Sequence, residues 1–282
     1  MSIIAFWSKE KKETGQTLSQ VALSTYMAVE HNARILSIST SFEDNTLEEC
    51  YWVSNKSNIA INKNNKQDAL EAGLEGLIKI INSNKTTNSI VSNYSKIVYK
   101  DRLDILCSPK TKDYEEYKEI CTMYKEIIQI ANKDYDYVFV DISKDMPEEE
   151  AKRILEMADI IVVNICQRLK TVNELLKLKV ENEFFNKTGV MINIGRYDKF
   201  SKYNITNITR FMKEKKGIYS IPYNTLYSEA CTEGRIGEFF LKYRKLDSED
   251  RNALLLSEIE RFAKALTYRI QELQIERTKM RR

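Results

Sequence analysis

The sequence predicts an α/β protein of three layers, in which a mostly parallel, twisted sheet carries helices on both faces. Three observations lead there. Short apolar runs recur along the chain, amphipathic helical stretches separate most of them, and the crossovers are short, which implies right-handed βαβ units. The 282 residues, 43% hydrophobic and 30% charged, have a globular composition and enough length to bury a core without disulfides or metals. With no internal repeat and no linker-like stretch, residues 1–282 read as a single domain.

Each element follows from its local pattern. Residues 3–7 are an apolar strand, and residues 17–30 a helix with Leu18, Val21, Ala22, Tyr26 and Val29 at helical spacing. Residues 34–38 form a second strand. The Asn- and Lys-rich stretch 55–67 reads as a surface loop with a short strand at 59–61, followed by a helix over 69–81 with Leu70, Leu74, Leu77, Ile78 and Ile81 on one face. A strand at 103–107 ends at Ser108-Pro109, and a long helix spans 114–131. Strand 137–140, helix 148–157 after Pro147, and the continuous apolar strand 160–165 alternate as in a buried parallel sheet. Helix 171–185, strand 189–194, helix 207–213 and strand 218–221 before Pro222 continue the alternation. Residues 251–274 form a long amphipathic helix with Leu254, Leu255, Ile259, Phe262, Ala263, Leu266 and Ile270 inward.

Several function classes are excluded by composition. Lys plus Arg number 44 and Asp plus Glu 41, so the net charge is only +3, which argues against a bulk polyanion binder. The basic stretches 213–216 and 277–282 are short and offset by acidic runs at Glu48-Glu49, Glu115-Glu116 and Glu148 to Glu150. Five cysteines without a CxxC pair and a single histidine, His31 at a helix end, assemble no Cys/His metal cluster and no nucleophilic triad. The cysteines are expected as reduced thiols. No apolar run approaches the roughly 18 residues of a membrane span, and the first residues carry no basic leader, so a cytoplasmic protein is expected.

In an open parallel sheet, ligands bind beyond the carboxyl ends of the strands, so the loops after strands come first. After the first strand, Lys11-Lys12-Glu13-Thr14-Gly15-Gln16-Thr17-Leu18 leads straight into a helix, where phosphate meets free backbone amides. Further on stand Asp134 to Asp141, ending an apolar strand in an aspartate, then Ala158-Asp159 before strand 160–165, Met191-Ile192-Asn193, and Ser220-Ile221-Pro222-Tyr223. In this order the segments resemble the ParA/MinD family of P-loop ATPases, whose deviant phosphate loop reads Lys-Gly-Gly-x-Gly-Lys-Thr. The resemblance spans most of residues 1–266 and is weakest over 52–97.

The resemblance implies a role for each matching residue. Lys11 falls at the signature lysine that reaches a partner's nucleotide across a dimer, and with Asp141 it would serve catalysis. Thr17 and Asp141 would hold Mg; Lys11 through Leu18 would cradle the phosphates of ATP or ADP; Asn193 would read adenine, with Pro222 and Tyr223 closing over the base. The departures are as informative. Gln16 replaces the phosphate-binding lysine, Lys12 and Glu13 replace two glycines, and Ser39 and Ser41 stand where the family carries two aspartates. Glu43 and Asp44 lie a few residues further on and are the candidates to replace those acids.

This pattern most resembles divergent members such as the TadZ/CpaE group, through a degenerate phosphate loop and the region around Tyr223, Leu226, Glu229, Gly234, Arg235 and residues 244–252. It implies a nucleotide-binding protein or pseudo-ATPase with weak or absent turnover, a homodimer that positions or recruits a pilus- or secretion-type assembly. The alternative is an active ParA-type partition ATPase acting on DNA. The charge balance speaks against DNA, and the scarcity of large apolar residues in 272–282 against a membrane helix; membrane contact would be peripheral, through partners.

Overall fold

Eight strands form one sheet among the described residues of the computed structural model: β1 (Ser2–Trp7), β2 (Ile35–Ser39), β3 (Lys96–Tyr99), β4 (Leu103–Leu106), β5 (Tyr137–Asp141), β6 (Ile160–Ile165), β7 (Val190–Tyr197) and β8 (Ile218–Pro222). Their order is β3-β4-β2-β5-β1-β6-β7-β8, and every neighbour pair is parallel except β3 with β4. The structure describes residues 1–10, 14–53, 73–83, 89–181, 189–213, 217–244, 246, 249–250 and 252–280.

Helices cover both faces, as side-chain alternation along buried strands requires. Ile3 and Ala5 of β1 face one apolar cluster, which includes residues of α3 (Leu74–Asn82), α5 (Tyr114–Ala131), α6 (Glu148–Met157) and α7 (Leu169–Glu181). Ile4 and Phe6 face the other, shared with α1 (Gln16–Glu30), α9 (Thr225–Thr232), α10 (Ile236–Lys242) and α11 (Ala253–Met280). The remaining helices are α2 (Thr46–Glu49), α4 (Ile90–Tyr94) and α8 (Ile205–Met212). Helices α5 and α6 match the expected bounds because their ends are chemically marked. The Asp113 side chain accepts the Glu115 amide, and acidic residues crowd the first turn of each.

Several expectations need correction. Strand β7 runs on to Tyr197, three residues past its expected end. The last helix continues to Met280, and Leu254 is 38% exposed, whereas Leu273 is buried. On α1 not only Val21 and Ala22 but also Ser24, Thr25, Met27 and Ala28 are buried, because α10 and α11 pack over it, while Leu18, Tyr26 and Val29 are only half-buried. The loop at 55–67 with its strand 59–61, the start of the helix at 69–72 and the end of the helix at 182–185 lie outside the described residues.

Candidate functional site

The parallel register sets Asp141 at the centre of the carboxyl edge, beside Phe6 of β1 on one side and Ser39 of β2 on the other. The loop after β1 returns over this edge into α1. Gly15 makes that turn with φ of 63°, a left-handed conformation that suits glycine, and it is followed by α1 with no side-chain cap. The first-turn amides of Gln16, Thr17 and Leu18 therefore lack intrahelical acceptors.

Two side chains of that turn fold inward onto Asp141. The Thr17 hydroxyl donates to Oδ2 at 2.6 Å, and the Gln16 amide Nε2 donates to Oδ1 at 2.7 Å. The same Nε2 also lies 2.9 Å from the Ile142 carbonyl and 3.1 Å from that of Phe6, so its two hydrogens are shared among three acceptors. Asp141 is 2% exposed, and burial pushes its carboxyl up to about 6; the bonds from Thr17 and Gln16 pull the other way, and the like charge of Asp44 adds to the rise.

A cavity of about 230 Å³ opens above this cluster, lined by Thr14 to Leu18, Asp141 and Lys144 together with Glu10, Ser41, Asp44 and Asp145 among others. That volume is below the roughly 300 Å³ at which clefts for whole small molecules begin, and it suits a phosphate group. A second opening of about 490 Å³ is lined by Arg196, Phe200, Pro222, Tyr223 and Leu254 among others. Arg196 of the second lies close to Gly15 of the first. A Cβ on Gly15 would lie 3.2 Å from Arg196 Cγ, and the Arg196 guanidinium stands 5.8 Å from the Tyr223 ring centre. Gly195 permits this closeness, since a Cβ there would sit 2.0 Å from the Thr14 carbonyl oxygen.

No protein-family model matches the chain, and no curated protein matches its sequence. Solved structures do. A ParA family ATPase from Chlorobium tepidum TLS superposes with a TM-score of 0.67 at 19% identity, covering 93% of this chain and 97% of that one. The cell division ATPase MinD of Pyrococcus furiosus gives 0.64 at 14% identity, covering 96% and 99%. The septum site-determining protein MinD of Pyrococcus horikoshii OT3, in complex with Mg-ADP, gives 0.61 at 14% identity, covering 92% and 93%. The fold is that of the ParA/MinD ATPases.

Within that fold the sequence-predicted site residues separate into groups. Thr14, Gly15, Gln16, Thr17, Leu18 and Asp141 come together around the smaller cavity, and Pro222 with Tyr223 line the larger one. Lys11, Lys12 and Glu13 lie outside the described residues. Asn193 does not join Pro222 and Tyr223. It is wholly buried in mid-strand, and its amide nitrogen donates to Ser19 Oγ and to Asn164 Oδ1, both at 2.8 Å. Because β7 extends to Tyr197, its last residues are Gly195, Arg196 and Tyr197, two to four places beyond the expected Asn193. Asp44, not Glu43, lines the phosphate-loop cavity, but its Oδ1 is engaged by the backbone and hydroxyl of Thr46. Ser39 is buried, and its hydroxyl accepts the Ser41 amide at 3.4 Å. Sequence reasoning missed Lys144 and Arg196. Only the glycine before Arg196 was a signal, while Lys144 reads in sequence as one more loop lysine.

Proposed function

We propose that the chain is a ParA/MinD-like nucleotide-binding scaffold, a single P-loop NTPase-like domain with weak or absent ATP turnover. One observation carries this reading: at the position of the phosphate-binding lysine stands Gln16, whose amide is spent on Asp141, Ile142 and Phe6. A neutral amide offers phosphate less than an ammonium does, and this one must leave internal partners to offer anything. The Thr17 hydroxyl and Asp141 carboxylate, already side by side, are the oxygen pair for Mg, which would link the protein to the phosphates of ATP or ADP. The amides of Gln16 to Leu18 meet phosphate, and Arg196, Pro222 and Tyr223 frame the base. A magnesium nucleotide in the Pyrococcus horikoshii relative supports that ligand class.

Turnover needs a water placed within about an ångström. Ser39 and Ser41 bring no carboxylate to that task, and Asp44 is committed in part to Thr46. Such a protein acts by binding. In this reading it self-associates through the face carrying Lys11, stays cytoplasmic unless partners draw it to the membrane, and positions a pilus- or secretion-type assembly, the role implied by its resemblance to the TadZ/CpaE group.

Calorimetric titration with ATP and ADP, with and without Mg, together with turnover assays, tests the reading on wild type, Gln16→Lys and Gln16→Lys with Ser39→Asp. Wild type should bind nucleotide and Gln16→Lys should bind about tenfold more tightly, while hydrolysis stays slow in both. Wild-type turnover of about 1 per second or more, or an ATP-dependent, salt-sensitive shift of plasmid DNA, would instead establish the partition-ATPase reading. A Lys11→Ala variant that sediments as wild type does with nucleotide present removes the dimer from the proposal.

A further inference from the structure

We propose that Lys144 supplies the positive charge that meets phosphate in this cavity, replacing from the loop after β5 the cation that Gln16 does not carry. The inference rests on the nucleotide-binding reading above and names the residue that makes it work. Lys144 belongs to the turn between β5 and α6, three residues past Asp141, and it lines the same 230 Å³ cavity as Thr14 to Thr17.

Its surroundings are unusual for a lysine. The side chain is half-buried, and its Nζ lies 4.9 Å from the centre of the Trp7 ring at the end of β1. Glu10 is the acid whose charge it feels, yet the two form no ion pair; Glu10 Oε1 takes the Thr171 hydroxyl instead, and its buried Oε2 has no hydrogen-bond partner among the described residues. Burial lowers the Lys144 ammonium to about 8. A partly desolvated cation facing a cavity, with an aromatic face against it and no ion pair among the described residues, is incompletely compensated. The amides at the start of α1 present partial positive charge to the same space. Converging on one volume, the ammonium and the amides select an anion with several oxygens. The cavity is too small for a whole nucleotide but accepts its phosphates, with the base left to the opening at Tyr223.

The acids Glu10, Asp44, Asp141 and Asp145 oppose any anion there. Among them Glu10 competes most directly for Lys144, and this gives the proposal a second handle. Removing the Glu10 charge relieves both its repulsion of the anion and its hold on Lys144, and should strengthen binding.

The experiment is calorimetric titration of Mg-ADP and of inorganic pyrophosphate into wild type, Lys144→Met, Lys144→Arg and Glu10→Gln. Lys144→Met keeps an apolar stem on Trp7 and removes the charge; it should weaken both ligands about tenfold or more. Lys144→Arg should stay within a few-fold of wild type, and Glu10→Gln should bind both more tightly. If ADP binds wild type and Lys144→Met equally, the proposal is overturned and the nucleotide reading stands. If pyrophosphate binds in a Lys144-dependent way and ADP does not bind, the proposal stands and the nucleotide reading falls. If wild type takes neither ligand, both fall. Should Lys144→Met fail to fold, a Glu10→Gln protein that binds pyrophosphate no better than wild type overturns the proposal by itself.

Discussion

The two ends of the sheet treat buried carboxylates in opposite ways. At the amino end, Asp159 accepts the Ile3 amide at 2.7 Å and meets the Arg277 guanidinium at 2.5 Å, joining β1, β6 and the last helix. Asp104, also at that end, takes the Tyr135 hydroxyl at 2.7 Å and lies 3.6 Å from Arg34, which itself stands over the Tyr135 ring. At the carboxyl end, Asp141 is as deeply buried, but its side-chain partners are an amide and a hydroxyl, with no cation within ion-pair distance among the described residues. The nearby cation, Lys144, feels the charge of Glu10 but forms no ion pair among the described residues. Charge is neutralised where the fold is fastened and left open where a ligand is expected.

Three measurements test that contrast. The largest effect is expected from Asp159→Ala, which strands the buried Ile3 amide and removes the anion facing the half-exposed Arg277; unfolding in urea should register a loss of about 3 kcal/mol. A loss under about 1 kcal/mol would mean that the amino-end pair is not a fastening.

Next comes Asp141→Asn. The folded carboxyl titrates near 6 against an ordinary value of 3.8, so the folded state holds that proton more tightly than the unfolded chain does. This contribution to stability is full below the ordinary value and is lost as pH rises through about 6. The stability of Asp141→Asn relative to wild type should therefore increase by on the order of 3 kcal/mol between about pH 4 and about pH 7. A difference that does not change with pH would show that Asp141 is compensated after all.

The smallest effect is expected at the base opening. Removing the exposed ring in Tyr223→Ala should weaken ADP by about 1 kcal/mol, a several-fold change, and leave pyrophosphate untouched. Equal weakening of both ligands would tie Tyr223 to the phosphates instead.

Legibility in the sequence followed the range of the forces involved. Strands 137–141 and 160–165 are buried on both faces and read as unbroken apolar runs, and α5 and α6 carry their own acidic and capping signals. The short elements α2, α4, α9 and α10 and the exposed edge strand β3 escaped, because runs of four to eight residues take their shape from what they pack against. The site divides in the same way. Gln16, Thr17 and Asp141 were legible because they fall at positions matching the family's phosphate loop and strand-end aspartate. Lys144 matches no such position, and only the return of the β1 loop over β5 brings it to the phosphate-loop cavity. Asn193 was read as base-facing from its match to the family's strand-end asparagine; β7 continues four residues past it, and its amide ties Ser19, and through it the first turn of α1, to Asn164 in the sheet.

Gly15 and Gly195 are separated by most of the chain, yet the space each leaves is filled by backbone belonging to the other's segment. Neither position can drift alone: a methyl group on residue 195 collides with the Thr14 carbonyl, and one on residue 15 is strained by its own backbone before it meets Arg196. Among descendants of this sequence, the two glycines should be kept or lost together. A lineage that has lost both will have moved its loop off the sheet, and that loss would be visible before any ligand is ever tried.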